Sequence, residues 1–180
     1  RGRQQEIEDL LDGTIAYSRE RVGKPRFLAV PARDLFREAA AFAKIRYQAP
    51  GVEIRLGTGV PGLGAVTCDR AWMHQALVDL AGNSFNRRQP DRPLTVELDG
   101  IERGPVVVLT VRDNGREMRP DEFGALSGAG EFDEPPDSVR ALRTARRIVE
   151  EHGGSMTLDS KPGRGVSFFL ILPRNGPSGR

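Results

Sequence analysis

The spacing of apolar residues changes period several times along this 180-residue chain, and each change predicts an element. Ile7, Leu10, Leu11, Thr14, Ile15, Ser18 and Val22 recur every three to four positions, one stripe of a helix over residues 4–22. Gly13 weakens that helix by about 1 kcal/mol relative to Ala, and Gly23-Lys24-Pro25 stops it. So narrow a stripe needs a neighbour, and a coiled-coil or hairpin partner fits it. A second helix is predicted over residues 31–47, where Leu35, Phe36, Ala39, Ala40, Phe42 and Ala43 supply the apolar faces. Pro50-Gly51 ends it. Val52-Glu53-Ile54-Arg55-Leu56 then alternates, the mark of a half-buried strand.

Beyond a glycine-rich loop at residues 59–64, a short strand is expected at residues 65–68. Asp69 can cap a third helix running to about residue 88, with Trp72, Met73, Ala76, Leu77, Leu80 and Phe85 turned inward. Residues 94–98 and 105–111 read as an antiparallel pair turning at residues 100–104, and Val106-Val107-Val108-Leu109 is continuous enough for a central strand. Residues 112–136 are rich in Gly, Pro, Asp and Glu, so they read as loop with one short helix near residues 121–126. Pro135-Pro136-Asp137 opens a last helix that Gly153-Gly154 closes, and a final hairpin turns at Pro162-Gly163-Arg164-Gly165. Helices on one face of a mixed, mostly antiparallel sheet make an α/β (α+β) two-layer sandwich.

Composition narrows the class. A net charge of +2 gives no bulk electrostatic case for nucleic acid as partner. The single cysteine, Cys68, excludes an internal disulfide framework and a cysteine-rich metal site, and it suits a reducing, cytoplasmic compartment. No apolar stretch is long enough to cross a bilayer, so no membrane contact is expected of this segment. Because the first residue is Arg1, the expectation is a piece of a longer protein in which an anchor can lie upstream.

Four segments carry a resemblance. Asp79-Leu80-Ala81-Gly82-Asn83-Ser84 resembles the N box of the histidine kinase branch of the GHKL (Bergerat-type) ATPases. Asp113-Asn114-Gly115 resembles the start of the G1 box. Arg146-Arg147-Ile148-Val149-Glu150-Glu151-His152-Gly153-Gly154 resembles the helix and turn after the G2 box, and Pro162-Gly163-Arg164-Gly165-Val166-Ser167-Phe168 the closing hairpin. Their order is far more specific than any one motif. Upstream, Leu10-Leu11-Asp12 to Gly23-Lys24 resembles the second helix of the dimerisation hairpin in such kinases. The implied organisation is a partial hairpin at 1–23, a connecting helix at 24–50, an ATP-binding domain at 51–174 and a tail at 175–180.

The resemblance also implies chemistry. Asn83 stands where the family places an amide oxygen on Mg²⁺, a cation that takes hard oxygen donors and bridges phosphates; the alternative is an ordinary helix-surface Asn. Asp79, one turn earlier, either helps hold metal or a catalytic water or is a solvated helical Asp. Asp113 stands where the family accepts the adenine amino hydrogen, and Gly115 where the backbone admits the purine; on composition alone Asp-Asn-Gly is a turn. Asn86 occupies the position of a phosphate-contacting Lys, which leaves Arg87 or Arg88 to face phosphate, although a helix C-terminus also welcomes Arg.

The chain departs from the pattern at three positions. Glu117 replaces the second G1 glycine, and Val139 and Ala141 stand where lid glycines are expected. Backbone N–H groups cradle phosphate best where no Cβ intervenes, so Val139 and Ala141 suit continuous helix instead. Arg140, Arg143 and Arg147 form a stripe that either meets an anion or acidic partner or is a solvated face. Neither His74 nor His152 stands in a phosphoacceptor pattern.

Two functions follow. One is the catalytic and ATP-binding part of a two-component sensor histidine kinase, using ATP and Mg²⁺ to phosphorylate a His outside this chain, in a homodimer that serves a response regulator. The other is a pseudokinase or phosphotransfer-type scaffold that docks a response regulator or partner kinase.

Overall fold

The computed structural model describes residues 24–126 and 137–177. The helix expected over residues 4–22, and with it the hairpin segment 1–23, lies outside those residues, as do Gly128-Ala129-Gly130, which the sequence offers as a substitute phosphate loop, and Glu131, Asp133 and Glu134, acidic residues that would repel triphosphate. Strand β1 (Leu28–Pro31) leads into helix α1 (Ala32–Arg46), followed by β2 (Val52–Leu56), a 3-10 turn (Val60–Gly62) and β3 (Ala65–Cys68). Helix α2 (Arg70–Asn86), β4 (Leu94–Arg103) and β5 (Val106–Asp113) come next. The short α3 (Pro120–Leu126), the long α4 (Asp137–Glu151), β6 (Ser155–Lys161) and β7 (Gly165–Pro173) complete the order.

Five strands form one sheet in the order β2-β4-β5-β7-β6, and β1 pairs β3 in a second, two-stranded sheet. β2 runs parallel to β4, from Val52 opposite Leu94 to Leu56 opposite Leu98. The other neighbours in the large sheet are antiparallel. The apolar run of β5 is central, between β4 and β7, as its continuity predicts.

Alternation decides which face is covered. Leu94, Val96 and Leu98 of β4, Val107, Leu109 and Val111 of β5, and Val166, Phe168, Leu170 and Leu172 of β7 are all buried. They pack in one core with Leu35, Phe36 and Ala39 of α1, Met73, Leu77 and Leu80 of α2, and Leu142, Ile148 and Val149 of α4. The positions between them, such as Glu97, Thr95 and Ser167, keep partial access to solvent on the other face. The result is a two-layer α/β sandwich. Cys68 is fully buried at the end of β3, where burial pushes its thiol up to about 12.

Two details differ from the sequence reading. Pro31 ends β1 and caps α1 from outside (φ −58°, ψ 116°) instead of starting the helix; a four-residue strand without alternation left no periodic signal. Gly100 is not a turn residue. It lies inside β4, where a Cβ would come within 2.8 Å of Leu63 Cδ1 and 3.2 Å of Phe36 Cε2, so its bareness lets α1 and the 3-10 turn sit down on the sheet. The chain reverses instead at Gly104, in the left-handed region at φ 57°.

His152, one residue past α4, stitches the helical layer to β3. The Asp69 N–H donates to its Nε2 at 2.9 Å, which leaves Nδ1 as the protonated nitrogen, 2.6 Å from the Ile148 carbonyl. Asp69 in turn caps α2 by accepting from the Trp72 N–H at 3.1 Å. Burial holds the His152 pKa below its ordinary value, against the pull of the Ile148 carbonyl. Its contribution is therefore complete above the unfolded value near 6.5 and is lost as pH falls through the lower folded value. Thermal unfolding followed by circular dichroism should give a melting temperature that drops below about pH 6.5. His152→Phe, which keeps the ring but loses both hydrogen bonds, should cost ~2 kcal/mol and flatten part of that pH dependence; an unchanged slope would remove His152 as its source.

Candidate functional site

Arg87, the residue that caps the end of α2, lies about one turn after both Asn83 (i+4) and Ser84 (i+3), so all three border the same end of the helix. Opposite them β5 ends at Asp113. The carboxylate of Asp113 is buried and accepts four hydrogen bonds. Its Oδ2 takes the Ser84 hydroxyl at 2.7 Å and Arg87 Nη2 at 2.5 Å. Its Oδ1 takes the Gly115 N–H at 2.9 Å and the Val166 N–H at 3.3 Å. A carboxylate has about four acceptor positions, so this one is saturated from within the chain.

Arg87 is as deeply placed: its side chain is 2% exposed and that of Asp113 0%. The guanidinium lies over the Phe168 ring, 5.5 Å from its centroid. Burial pulls its pKa below the usual guanidinium range, and the neighbouring Asp113 opposes the shift. Its Nε is buried with no hydrogen-bond acceptor. The sequence expectation that Arg87 faces phosphate meets a different geometry here, since the side chain turns inward and holds Asp113.

Backbone contacts lock the segment after β5 against the end of α2. The Arg116 N–H donates to the Arg87 carbonyl at 2.8 Å. A Cβ on Gly115 would lie 2.8 Å from that same carbonyl, and one on Gly165 would lie 2.1 Å from the Asp113 carbonyl. Only glycine allows these approaches. Asn114 faces the other way and ties the start of β4, accepting from the Thr95 N–H at 2.8 Å and donating to the Pro93 carbonyl at 3.1 Å.

Asn83 holds the other orphan. Its Nδ2 donates to the Ser138 carbonyl at the start of α4, 3.2 Å away, while its Oδ1 is buried without a donor. A buried acceptor with no partner is uncommon, and an amide oxygen of this kind suits a hard cation. Among the described residues no group of three His, Cys, Asp or Glu side chains could hold a metal by itself. Any cation at Asn83 would depend on phosphate oxygens and water for its other ligands, which is how Mg²⁺ is commonly held.

Asp79 sits one turn before Asn83 but belongs to a different neighbourhood. Gln75 donates to it at 2.6 Å, and the charge of Arg46 at the end of α1 acts on it. Burial pushes its carboxyl up to about 7, which lets it exchange a proton near neutrality. Arg88 is exposed, bonds the Phe85 carbonyl at 3.1 Å and stacks over the Phe85 ring at 4.2 Å. It lines a cavity of about 680 Å³ with Pro50, Pro90 and Arg92. Asn83 and Arg87 thus meet the Asp113–Gly115 segment and the start of α4, while Asp79 and Arg88 point elsewhere.

Of the departures from the family pattern, Val139 is buried inside α4 and Ala141 continues that helix, so neither position offers a bare phosphate cradle. Glu117 is exposed. Glu122 is neutralised by Arg116 at 3.2 Å. Arg140 bonds Asp137, and Arg146 bonds Glu150 at 2.8 Å, so ion pairs along the helix surface engage this side of α4. Ser84 carries no motif signal beyond being a small hydroxyl next to Asn83, on the side of α2 that meets β5.

A helical layer on a mixed five-stranded sheet, with a buried carboxylate at the end of the central strand and an amide on the helix above it, is the arrangement of a nucleotide-binding sandwich. The family described as histidine kinase-, DNA gyrase B-, and HSP90-like ATPase matches residues 68–176, and the chain belongs to it. Its nucleotide-binding domain is of the sensor histidine kinase type. It is 33% identical over 175 residues to the methanogenesis regulatory histidine kinase FilI of Methanothrix harundinacea, covering 93% of this chain and 19% of that protein. The chain therefore spans about a fifth of the length of this curated relative. Its fold is like that of full-length ShkA in complex with AMPPNP (TM-score 0.72, 20% identity, 99% of this chain and 38% of that one). It is also like that of the catalytic domain of histidine kinase ThkA (TM-score 0.66, 16% identity, 83% and 97%).

Removing one member of a buried ion pair leaves the other charge uncompensated. Asp113→Ala should cost about 3–5 kcal/mol in urea unfolding, and Ser84→Ala about 1 kcal/mol. A loss under about 1 kcal/mol for Asp113→Ala would mean that Arg87 finds water or another acceptor.

Proposed function

We propose that this chain is the ATP-binding and phosphoryl-donating module of a two-component sensor kinase, and that its product is a phosphohistidine on a residue outside the described domain. The observation that carries the reading is the buried, partnerless Oδ1 of Asn83 beside the start of α4. There an Mg²⁺ bound with a nucleotide would supply charge neutralisation between phosphate oxygens. Asn83 fixes the position of that charge. Arg88, exposed just past α2, would have to leave the Phe85 ring and carbonyl to reach phosphate, and Gly115 keeps the backbone low beside the base. Asp79, with its raised pKa, can orient or deprotonate water one turn away.

His74 and His152 are both buried, which fits neither as phosphoacceptor. Residues 1–23 would contribute half of a dimerisation hairpin and 24–50 the connection to it, so that the whole protein acts as a homodimer on the cytoplasmic side and passes phosphate to a response regulator. No helix among the described residues is long and apolar enough to cross a membrane. Family membership and the placement of Asn83 favour this module over a scaffold without nucleotide.

Calorimetric titration with a non-hydrolysable ATP analogue, with and without Mg²⁺, tests the reading. Binding should strengthen with Mg²⁺, and Asn83→Ala should abolish that dependence with at least a tenfold loss of affinity. No heat up to millimolar analogue in either condition, with an intact melt, would return the chain to the scaffold class.

A further inference from the structure

We infer that the solvent face of the five-stranded sheet is a docking surface, and that its occupant is an amphipathic helix of another protein with an acidic residue toward each end. This goes beyond the nucleotide reading and does not depend on it, because the three long helices pack on the opposite face of the sheet.

Strand register places the residues. On this face Arg103, Ile101, Asp99 and Glu97 of β4 stand opposite Val106, Val108, Thr110 and Arg112 of β5. Those four in turn stand opposite Pro173, Ile171, Phe169 and Ser167 of β7. The solvent face of an antiparallel sheet is ordinarily polar. Here Ile101, Val106, Val108, Phe169, Ile171 and Pro173 form one apolar block across three strands. Ile101 is 49% exposed, whereas Thr110 in the middle of the block is 9% exposed. The face is therefore hollowed, with a cavity of about 490 Å³ that Thr58 and Gly59 also line. Apolar residues scattered singly on a surface need no explanation, but a contiguous patch marks an interaction site.

Two constraints name the occupant. β4, β5 and β7 each have a neighbouring strand on both sides, so an extended segment laid over them would find no partner for its backbone. A helix satisfies its own backbone and presents a stripe of side chains, so a helix can cover this face as a further layer. Charge then fixes its ends. The acidic side chains bordering the block are already engaged. Arg55 donates to Glu97 at 3.0 Å, and Asp99 accepts from the Gly59 and Gly100 N–H groups at 2.9 and 2.8 Å. Arg103 and Arg112 are exposed, and neither joins an ion pair among the described residues; Arg112 bonds the Ser167 hydroxyl at 3.3 Å. These two bracket the block. Arg103 faces Val106, which lies about 20 Å along β5 from Arg112 at the rise of a strand. About 14 helical residues cover that distance, with a carboxylate at each end to meet a guanidinium. A second copy of this chain would instead bring the same unpaired arginines to both sides of the interface.

The probes are two labelled synthetic peptides of about 15 residues with the same leucine stripe, one ending in glutamates and the other in lysines. Each is titrated against the 180-residue chain by fluorescence anisotropy. The glutamate peptide should bind at least tenfold more tightly than the lysine peptide. Arg103→Glu combined with Arg112→Glu should reverse that order. The same change of net charge placed on α1, Arg37→Glu with Lys44→Glu, should leave the order as in wild type. Ile101→Asp, at an exposed position, should weaken both peptides at least tenfold and leave the melting temperature and the nucleotide titration unchanged. Equal affinity for the two peptides, no binding of either by folded wild type, or a reversal produced equally well from α1 would overturn the proposal. So would a concentration-dependent dimer in sedimentation that Ile101→Asp disperses, because the face would then belong to a second copy.

Discussion

The saturated carboxylate of Asp113 is the constraint around which this domain is arranged. It gathers a helix, through Ser84 and Arg87, the segment that leaves β5, through Gly115, and the first residues of β7, through Val166. A buried charge is tolerable only when it is paired and hydrogen-bonded, so each of these elements must arrive at a set distance and orientation. Glycine at 115 and 165 follows from the same requirement, since a Cβ at either would strike backbone atoms of Arg87 or Asp113. The position of α2 on the sheet, and with it the direction in which Asn83 points, is set by this contact as well as by apolar packing.

Apolar packing supplies the bulk of the cohesion and polar stitches supply its registration. Leucines and valines from β4, β5 and β7 meet α1, α2 and α4 in one continuous core, an attraction that is strong but non-directional. Direction comes from few places: the Asp113 cluster at one end of α2, and the Asp69–His152 pair at the other. Between them α2 carries a buried amide oxygen that the protein leaves without a donor. A helix fixed at both ends can keep such a group in place, which is what a ligand site requires.

The family's chemistry and this chain's residues agree unevenly. Asn83 leaves its Oδ1 without a donor, whereas helix runs through Val139 and Ala141, where the resemblance implies glycines, and the Asp113 carboxylate, where it implies a base contact, already has a cation. Placing Arg three residues beyond the N-box serine creates that pairing, because position 87 lies about one turn after both 83 and 84, on the side that meets β5. One residue further on, Arg88 escapes to the surface. Two adjacent arginines with identical chemistry therefore have opposite environments, one buried against Asp113 and the other stacked on the Phe85 ring.

Periodicity alone determined most of the elements. Val52–Leu56 and Ala65–Cys68 occupy the predicted positions, α2 begins after the Asp69 cap, and the amphipathic pattern of α4 survives the replacement of two glycines. Local patterns report local preferences, and here propensity and burial agree. The four ordered motifs also identified the family. What sequence could not decide was anything set by approach between distant segments. Gly100 reads as a turn but serves as a gap under Phe36 and Leu63, because the neighbour that needs the space is 37 to 64 residues away. Arg87 reads as a surface cation at a helix end, yet it is buried, because Asp113 arrives opposite it from 26 residues on. Which charge meets which depends on how sheet and helices are superposed, and that is a property of the packed core, not of the order of residues.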